Sequence, residues 1–193
     1  MSESPTDHVL LAGVARGDQD SLHQLYQRFR GRLWRFVWHQ LGGNVELAEE
    51  TLQDIFIAIW NSADRFRGEA QVATWIFCIA HNRVVDTLRH HARQHGEMSV
   101  PLSDAGQIAG LPMANDSWED NVIDRLILSD NLRRLSPKHR EVLDLVFAQG
   151  FSIEEVASIL AIPAGTVKSR VSYARQALIK LCQTPVGRTS DHD

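Results

Sequence analysis

Cysteine is nearly absent. Cys78 and Cys182 are the only two in 193 residues, they lie far apart, and neither has a CxxC partner. That spacing indicates neither a disulfide framework nor a zinc site, so both read as buried or incidental thiols. Long hydrophobic runs are missing too. No stretch approaches the roughly 18 apolar residues of a membrane span, and the opening MSESPTDH has no basic segment followed by an apolar one. The expectation is a cytoplasmic chain without membrane insertion. Two further absences are local. Residues 96–122, GEMSVPLSDAGQIAGLPMANDSWEDNV, hold five acids (Glu97, Asp104, Asp116, Glu119, Asp120) and no Lys or Arg. Pro163 to Lys180, PAGTVKSRVSYARQALIK, holds four cations (Lys168, Arg170, Arg175, Lys180) and no acid, in a chain of formal net charge −4.

What is present fits an ordinary globular chain. With 44% hydrophobic and 23% charged residues it can bury a core as one large domain or two small ones. Residues 96–122, with two prolines, three glycines and no sustained period, read as a flexible acidic linker. It divides an N-terminal module, residues 8–95, from a C-terminal module, residues 123–183, with a frayed polar tail over 184–193.

Both modules read as helical, giving an all-α chain of two small domains. Leu22, Leu25, Phe29, Leu33 and Phe36 recur at steps of three and four, as do Leu47, Leu52, Ile55, Phe56, Ile59 and Trp60. Trp75, Ile76, Ile79, Ala80, Val84 and Leu88 form a third stripe, on a helix from about Val72 to Arg93. Such stripes describe a helical bundle with solvated outer faces and carry no function alone.

Punctuation is sharper in the C-terminal module. Ser136-Pro137 supplies an N-cap and a first-turn proline, and Val142, Leu143, Val146 and Phe147 then form a core face that stops at Gly150. Ser152-Ile153-Glu154-Glu155 is a capping box opening a second helix, IEEVASILA, which ends at Ile162-Pro163-Ala164-Gly165. A third helix runs from about Thr166 to Leu181. Projected at 100° per residue, it places Val167, Val171, Ala174, Leu178 and Leu181 against the first two. The other side presents Ser169, Ser172, Tyr173 and Gln176, flanked by Lys168 and Arg175 on one edge and Arg170 on the other. Short hydrogen-bonding side chains between cations suit a helix in the DNA major groove, where the centre meets base edges and the flanks meet phosphates. A merely solvated basic face is the plainer alternative.

LSPKHREVLDLVFAQGFSIEEVASILAIPAGTVKSRVSYARQAL resembles the C-terminal promoter-binding domain of bacterial extracytoplasmic function (ECF, group 4) sigma factors, although similar text also closes LuxR-type regulators. The resemblance implies a region 4 helix-turn-helix in which Thr166, Lys168, Ser169, Arg170, Ser172, Tyr173 and Arg175 meet the −35 element. The N-terminal module decides between the two families: ELAEETLQDIFIAIWNSADRFRGEAQVATWIFCIAHNRVVDTLRHHARQ resembles sigma region 2. By that resemblance, the helix holding Glu49, Glu50, Leu52, Gln53, Asp54 and Phe56 docks on core RNA polymerase. Leu52 and Phe56 belong to the buried stripe, so Glu49, Glu50, Gln53 and Asp54 would form an acidic outer patch for a basic partner; alternatively, acids in a first turn merely favour the helix dipole.

Arg65, Phe66, Arg67, Gly68 and Gln71 resemble the family loop that captures an extruded base of the −10 strand, with Trp75 beneath it. A captured base needs a ring or apolar face, and its strand needs cations, which this stretch has. Asn82, Asp86, Arg89, His90 and Arg93 form a polar stripe along which the strand could run, with Arg83 beside it. His81, His90, His91 and His95 are spaced too irregularly, on too Arg-rich a helix, to favour a metal.

Two positions depart from the family. Thr51 and Asp54 stand where many relatives have an aliphatic residue and Glu, a change that could alter docking affinity. The expectation is a sigma factor that binds core RNA polymerase and promoter DNA, answers to an anti-sigma factor, and uses no cofactor, metal or small-molecule substrate. No convergent Ser/His/Asp, Cys/His or paired-carboxylate set indicates an enzyme. A stand-alone helix-turn-helix regulator is the rival reading, since it would need neither the acidic patch nor the RFRGEAQ loop.

Overall fold

The computed structural model describes residues 5–94 and 135–183, with side chains as far as Lys180. These residues fall in two compact units, divided between Asn121 and Val122. Every regular element described is helical. The expected linker, His95, the Cys182 and Leu181 side chains and the tail lie outside the described residues.

The first unit contains α1 (Asp7–Ala15), α2 (Gln19–Gln40), α3 (Val45–Ser62), a 3-10 turn (Ala63–Arg65) and α4 (Val72–Gln94). Three helices begin at side-chain caps. The Thr6 hydroxyl accepts from the Val9 N–H at 3.4 Å, the Asp18 carboxylate from Asp20 at 3.2 Å, and the Asn44 side chain from Leu47 at 3.1 Å, each satisfying a donor that the first turn leaves orphaned. Leu25, Phe29, Leu33 and Phe36 of α2 are buried, as are Ile55, Phe56 and Ile59 of α3 and Ile76, Phe77, Ala80 and Val84 of α4. Each large side chain contributes about 1.5–3 kcal/mol by leaving water. Phe36 and Phe77 meet edge to face at 5.5 Å, joining α2 to α4.

The buried surfaces are broader than the apolar stripes and partly rotated from them. Leu22, Leu47, Leu52, Trp60, Trp75, Ile79 and Leu88 are only half-buried, whereas Phe77 and Val85 are buried. The cause is that α4 packs against α1, α2 and α3 together, so its core side spans more than one stripe. The first helix also lies outside the sequence reading. Its Leu10, Leu11 and Val14 are buried, and a methyl added at Gly13 would collide with the Ser21 side chain, so the close crossing of α1 and α2 requires glycine there.

The second unit contains α5 (Pro137–Leu143), a π-helical segment (Asp144–Ala148), α6 (Ile153–Leu160) and α7 (Ala164–Gln183). Pro137 opens α5 as expected, but the Ser136 side chain makes no capping bond. The predicted core face over Val142, Leu143, Val146 and Phe147 is corrected in its second half. Gln149 N–H donates to Asp144 C=O at 2.9 Å, a five-residue step that turns Leu145 into the core and leaves Val146 and Phe147 half-buried. The capping box forms as read: Glu155 N–H donates to Ser152 Oγ at 3.2 Å and Ser152 N–H to the Glu155 carboxylate at 2.9 Å. Helix α6 stops one residue early because Ala161 turns left-handed, at φ 52° and ψ 42°. Helix α7 starts two residues before the expected Thr166, and its Val167, Val171, Ala174 and Leu178 are buried, packed on α5 and α6.

Candidate nucleic-acid interface and docking face

The left-handed residue at Ala161 reverses the chain between α6 and α7 and so fixes which side of α7 faces outward. With Val167, Val171, Ala174 and Leu178 turned inward, Lys168, Ser169, Ser172 and Gln176 are exposed. Thr166, Arg170, Tyr173 and Arg175 are half-buried, so the expected reading face is narrower than the helical projection implied. Ser169 Oγ donates to Gly165 C=O at 3.0 Å, which commits its proton to the helix and leaves its lone pairs free to accept. His139 of α5 is half-buried near Arg170. Burial, and then the Arg170 and Lys138 charges, lower its pKa below the usual histidine value and favour the neutral ring.

In the first unit, the turn Ala63–Arg65 and the start of α4 bracket the loop that resembles the family's base-capturing segment. Arg65, Arg67, Gly68 and Gln71 are exposed, and Phe66 and Trp75 are half-buried. Gly68 has φ +75°, a left-handed conformation that turns the loop just after Arg67 and favours glycine. Phe66 and Trp75 meet edge to face at 5.6 Å. The pair offers ring surface between two exposed cations, the combination a stacked base and its phosphates require. Asn82, Arg83, Asp86, Arg89, His90 and Arg93 are all exposed along α4. Asp86 and Arg89 are 3.6 Å apart, an exposed pair that stabilises the helix little and leaves Arg89 free to exchange partners. Cys78 is half-buried and its thiol is pushed up by burial, which keeps it protonated at neutral pH. No group of three or more His, Cys, Asp and Glu side chains converges on a metal-sized site among the described residues.

A third surface lies along α3. Glu49, Glu50, Gln53 and Asp54 are exposed together, while Phe56 is buried against Tyr26 at a ring distance of 4.8 Å. Leu52, expected in the core, is half-buried, lining with Glu49 and Gln53 an open groove of about 540 Å³. Helix α2 supplies the other wall through Tyr26, Arg30 and Trp34, which sequence reasoning missed. Their spacing of four was the available signal, running beside the core stripe rather than within it. The acidic patch therefore borders a cation and aromatic rings. Thr51 faces inward, 1% exposed, and its hydroxyl meets that of Thr87 at 3.1 Å. Its departure from the family consequently concerns the seam between α3 and α4, not the outer patch.

Among the described residues no helix is long and apolar enough to cross a membrane. Residues 25–94 match Sigma-70 region 2 and residues 132–180 match Sigma-70, region 4. The helix-turn-helix unit and the loop-bearing bundle are thus the two domains of a sigma-70-type transcription initiation factor. The chain is 31% identical to ECF RNA polymerase sigma factor SigL of Mycobacterium tuberculosis, over 87% of this chain and 92% of that protein. It is also 31% identical to the ECF RNA polymerase sigma-E factor of Escherichia coli, over 97% and 100% respectively. The solved structure of CnrH in complex with the cytosolic domain of CnrY superposes with a TM-score of 0.65 at 25% identity, covering 91% of this chain and 96% of that one. The chain belongs to the ECF RNA polymerase sigma factor family, and is not a stand-alone helix-turn-helix regulator.

Proposed function

We propose that this chain acts in the cytoplasm, without catalysis of its own, by docking on core RNA polymerase and dividing promoter recognition between its two units. Glu49, Glu50, Gln53 and Asp54 form the docking patch, which their exposure and charge suit for a basic partner, with Leu52 and Phe56 behind them. Lys168, Ser169 and Ser172 read the −35 duplex from the exposed side of α7, flanked by Thr166, Arg170, Tyr173 and Arg175. Arg65, Phe66, Arg67, Gly68, Gln71 and Trp75 hold the −10 strand, which continues past Asn82, Arg83, Asp86, Arg89 and His90. An anti-sigma factor is the expected regulator, because a similar structure, 26% identical, is that of the sigma factor RpoE in complex with the anti-sigma factor NepR from Bartonella quintana.

The observation that carries this reading is the ring pair Phe66–Trp75 set between exposed Arg65 and Arg67, a single-strand platform that a duplex reader does not need. Run-off transcription with core polymerase, with transcripts mapped across the genome, tests it. Discrete start sites that require both the chain and core polymerase are expected. Site-specific duplex binding by the chain alone, with no transcript gained, would count against the reading.

A further inference from the structure

The start of helix α1 is pinned by polar contacts in addition to its buried Leu10, Leu11 and Val14. The Asp7 carboxylate accepts from Arg28 of α2 at 2.7 Å, and the same guanidinium donates to Pro5 C=O at 2.7 Å. The Thr6 cap on Val9 adds a further bond in the first turn. His8 lies between these anchors, exposed, with its imidazole 5.5 Å from the Phe66 ring at 50°. Phe66 in turn meets Trp75 at 5.6 Å and 62°. Both separations fall in the range where tilted rings attract. Three rings from three separate segments therefore form a continuous row, with the ring of the capture loop in the middle.

We infer that His8 is a positioning residue of the strand-capture site, holding the Phe66 ring between itself and Trp75 so that the loop presents one face to an unstacked base. The physical case rests on what the loop lacks. Phe66 is only half-buried, and its neighbours Arg65, Arg67 and Gly68 are exposed, so the loop itself supplies little packing for this ring. Trp75 alone constrains one edge and leaves the side-chain torsions free to swing. A second ring in contact with Phe66 restricts that freedom before the nucleotide arrives, and binding then costs less ordering entropy. The pinned start of α1 is suited to this use, since an imidazole on a fraying terminus would order nothing. His8 is not required for the core: the buried side chains of α1 are Leu10, Leu11 and Val14.

The inference rests on the strand-capture reading above, and its test separates the two. Full-length protein is assembled with core polymerase. The probe is a short fluorescein-labelled single strand carrying the −10 element, selected from a randomised pool by the wild-type holoenzyme. His8→Ala should weaken binding of this strand by roughly three- to tenfold, the size of one ring contact, with core affinity and helical content unchanged. His8→Phe, which keeps a ring, should stay within about twofold of wild type. In a Phe66→Ala background, His8→Ala should add less than about twofold, because the ring it positions is gone. Wild-type binding by His8→Ala, no rescue by His8→Phe, or multiplying effects in the double variant would each overturn the role of His8 while leaving strand capture intact. If Phe66→Ala itself binds the strand normally, the capture reading fails and the inference falls with it.

Discussion

Replacing Ala161 tests the turn that aims the recognition helix. Ala161 has φ 52° and ψ 42°, where a Cβ crowds the following carbonyl at a cost of about 1–2 kcal/mol that glycine does not incur. Glycine also loses more backbone freedom on folding, an opposing term of about 0.4–1 kcal/mol. The side chain is exposed, so no packing is lost, and the backbone N–H keeps its bonds to Ala157 and Ser158 C=O. The relief of strain wins by a small margin: Ala161→Gly should stabilise the C-terminal unit by about 0.5–1 kcal/mol, raising its melting temperature by about 2–8 °C. Ala161→Val should act in the opposite direction and by more, because a branched Cβ fits the left-handed region worse. Differential scanning calorimetry of the full chain follows the transition of that unit. A glycine variant that melts lower than wild type, or a valine variant that melts at the same temperature, would refute the left-handed turn.

Two further predictions concern the same unit. Lys168→Ala should weaken binding to the −35 duplex by about 1–3 kcal/mol if the ammonium contacts a base edge and by less if it meets only phosphate, with core binding unchanged; titration of duplex by anisotropy checks this. His139 has a lowered pKa in the fold, so the unfolded chain binds its proton more readily, and the stability contributed by the neutral ring is lost as pH falls below the ordinary histidine range near 6.5. His139→Gln should therefore flatten the decline in the unit's melting temperature between neutral and mildly acidic pH, and an unaltered slope would contradict the burial of that ring beside Arg170 and Lys138.

Helix content was legible because apolar spacing and capping chemistry are local. Ser152 and Glu155 announce α6 in four letters, and the capping box forms as written. The inward side of α7 was equally readable from Val167, Val171, Ala174 and Leu178. What failed depended on partners that a single stripe does not encode. The π segment at Asp144–Ala148 exchanged Leu145 for Val146 and Phe147, and Phe77 is buried because α4 has neighbours on several sides. The candidate sites divide in the same way. The residues of the loop and α4 could be read in order along the chain. The groove wall of Tyr26, Arg30 and Trp34 and the contact of His8 with Phe66 join segments distant in sequence, and only the fold brings them together.

The exposed side of α3 is the surface proposed for core polymerase. Glu50 and Asp54 are exposed one turn apart, with Ile55 and Ile59 buried behind them, so both charges can be reversed without disturbing the core. The decisive measurement is the affinity of the Glu50→Lys, Asp54→Lys double variant for core polymerase by fluorescence anisotropy, with circular dichroism to confirm helical content. Like-charge contact at a partly desolvated interface costs several kcal/mol, so a folded variant with no detectable core binding at micromolar concentration and unchanged binding to the −35 duplex is expected. A folded variant that binds core polymerase as tightly as wild type would contradict it.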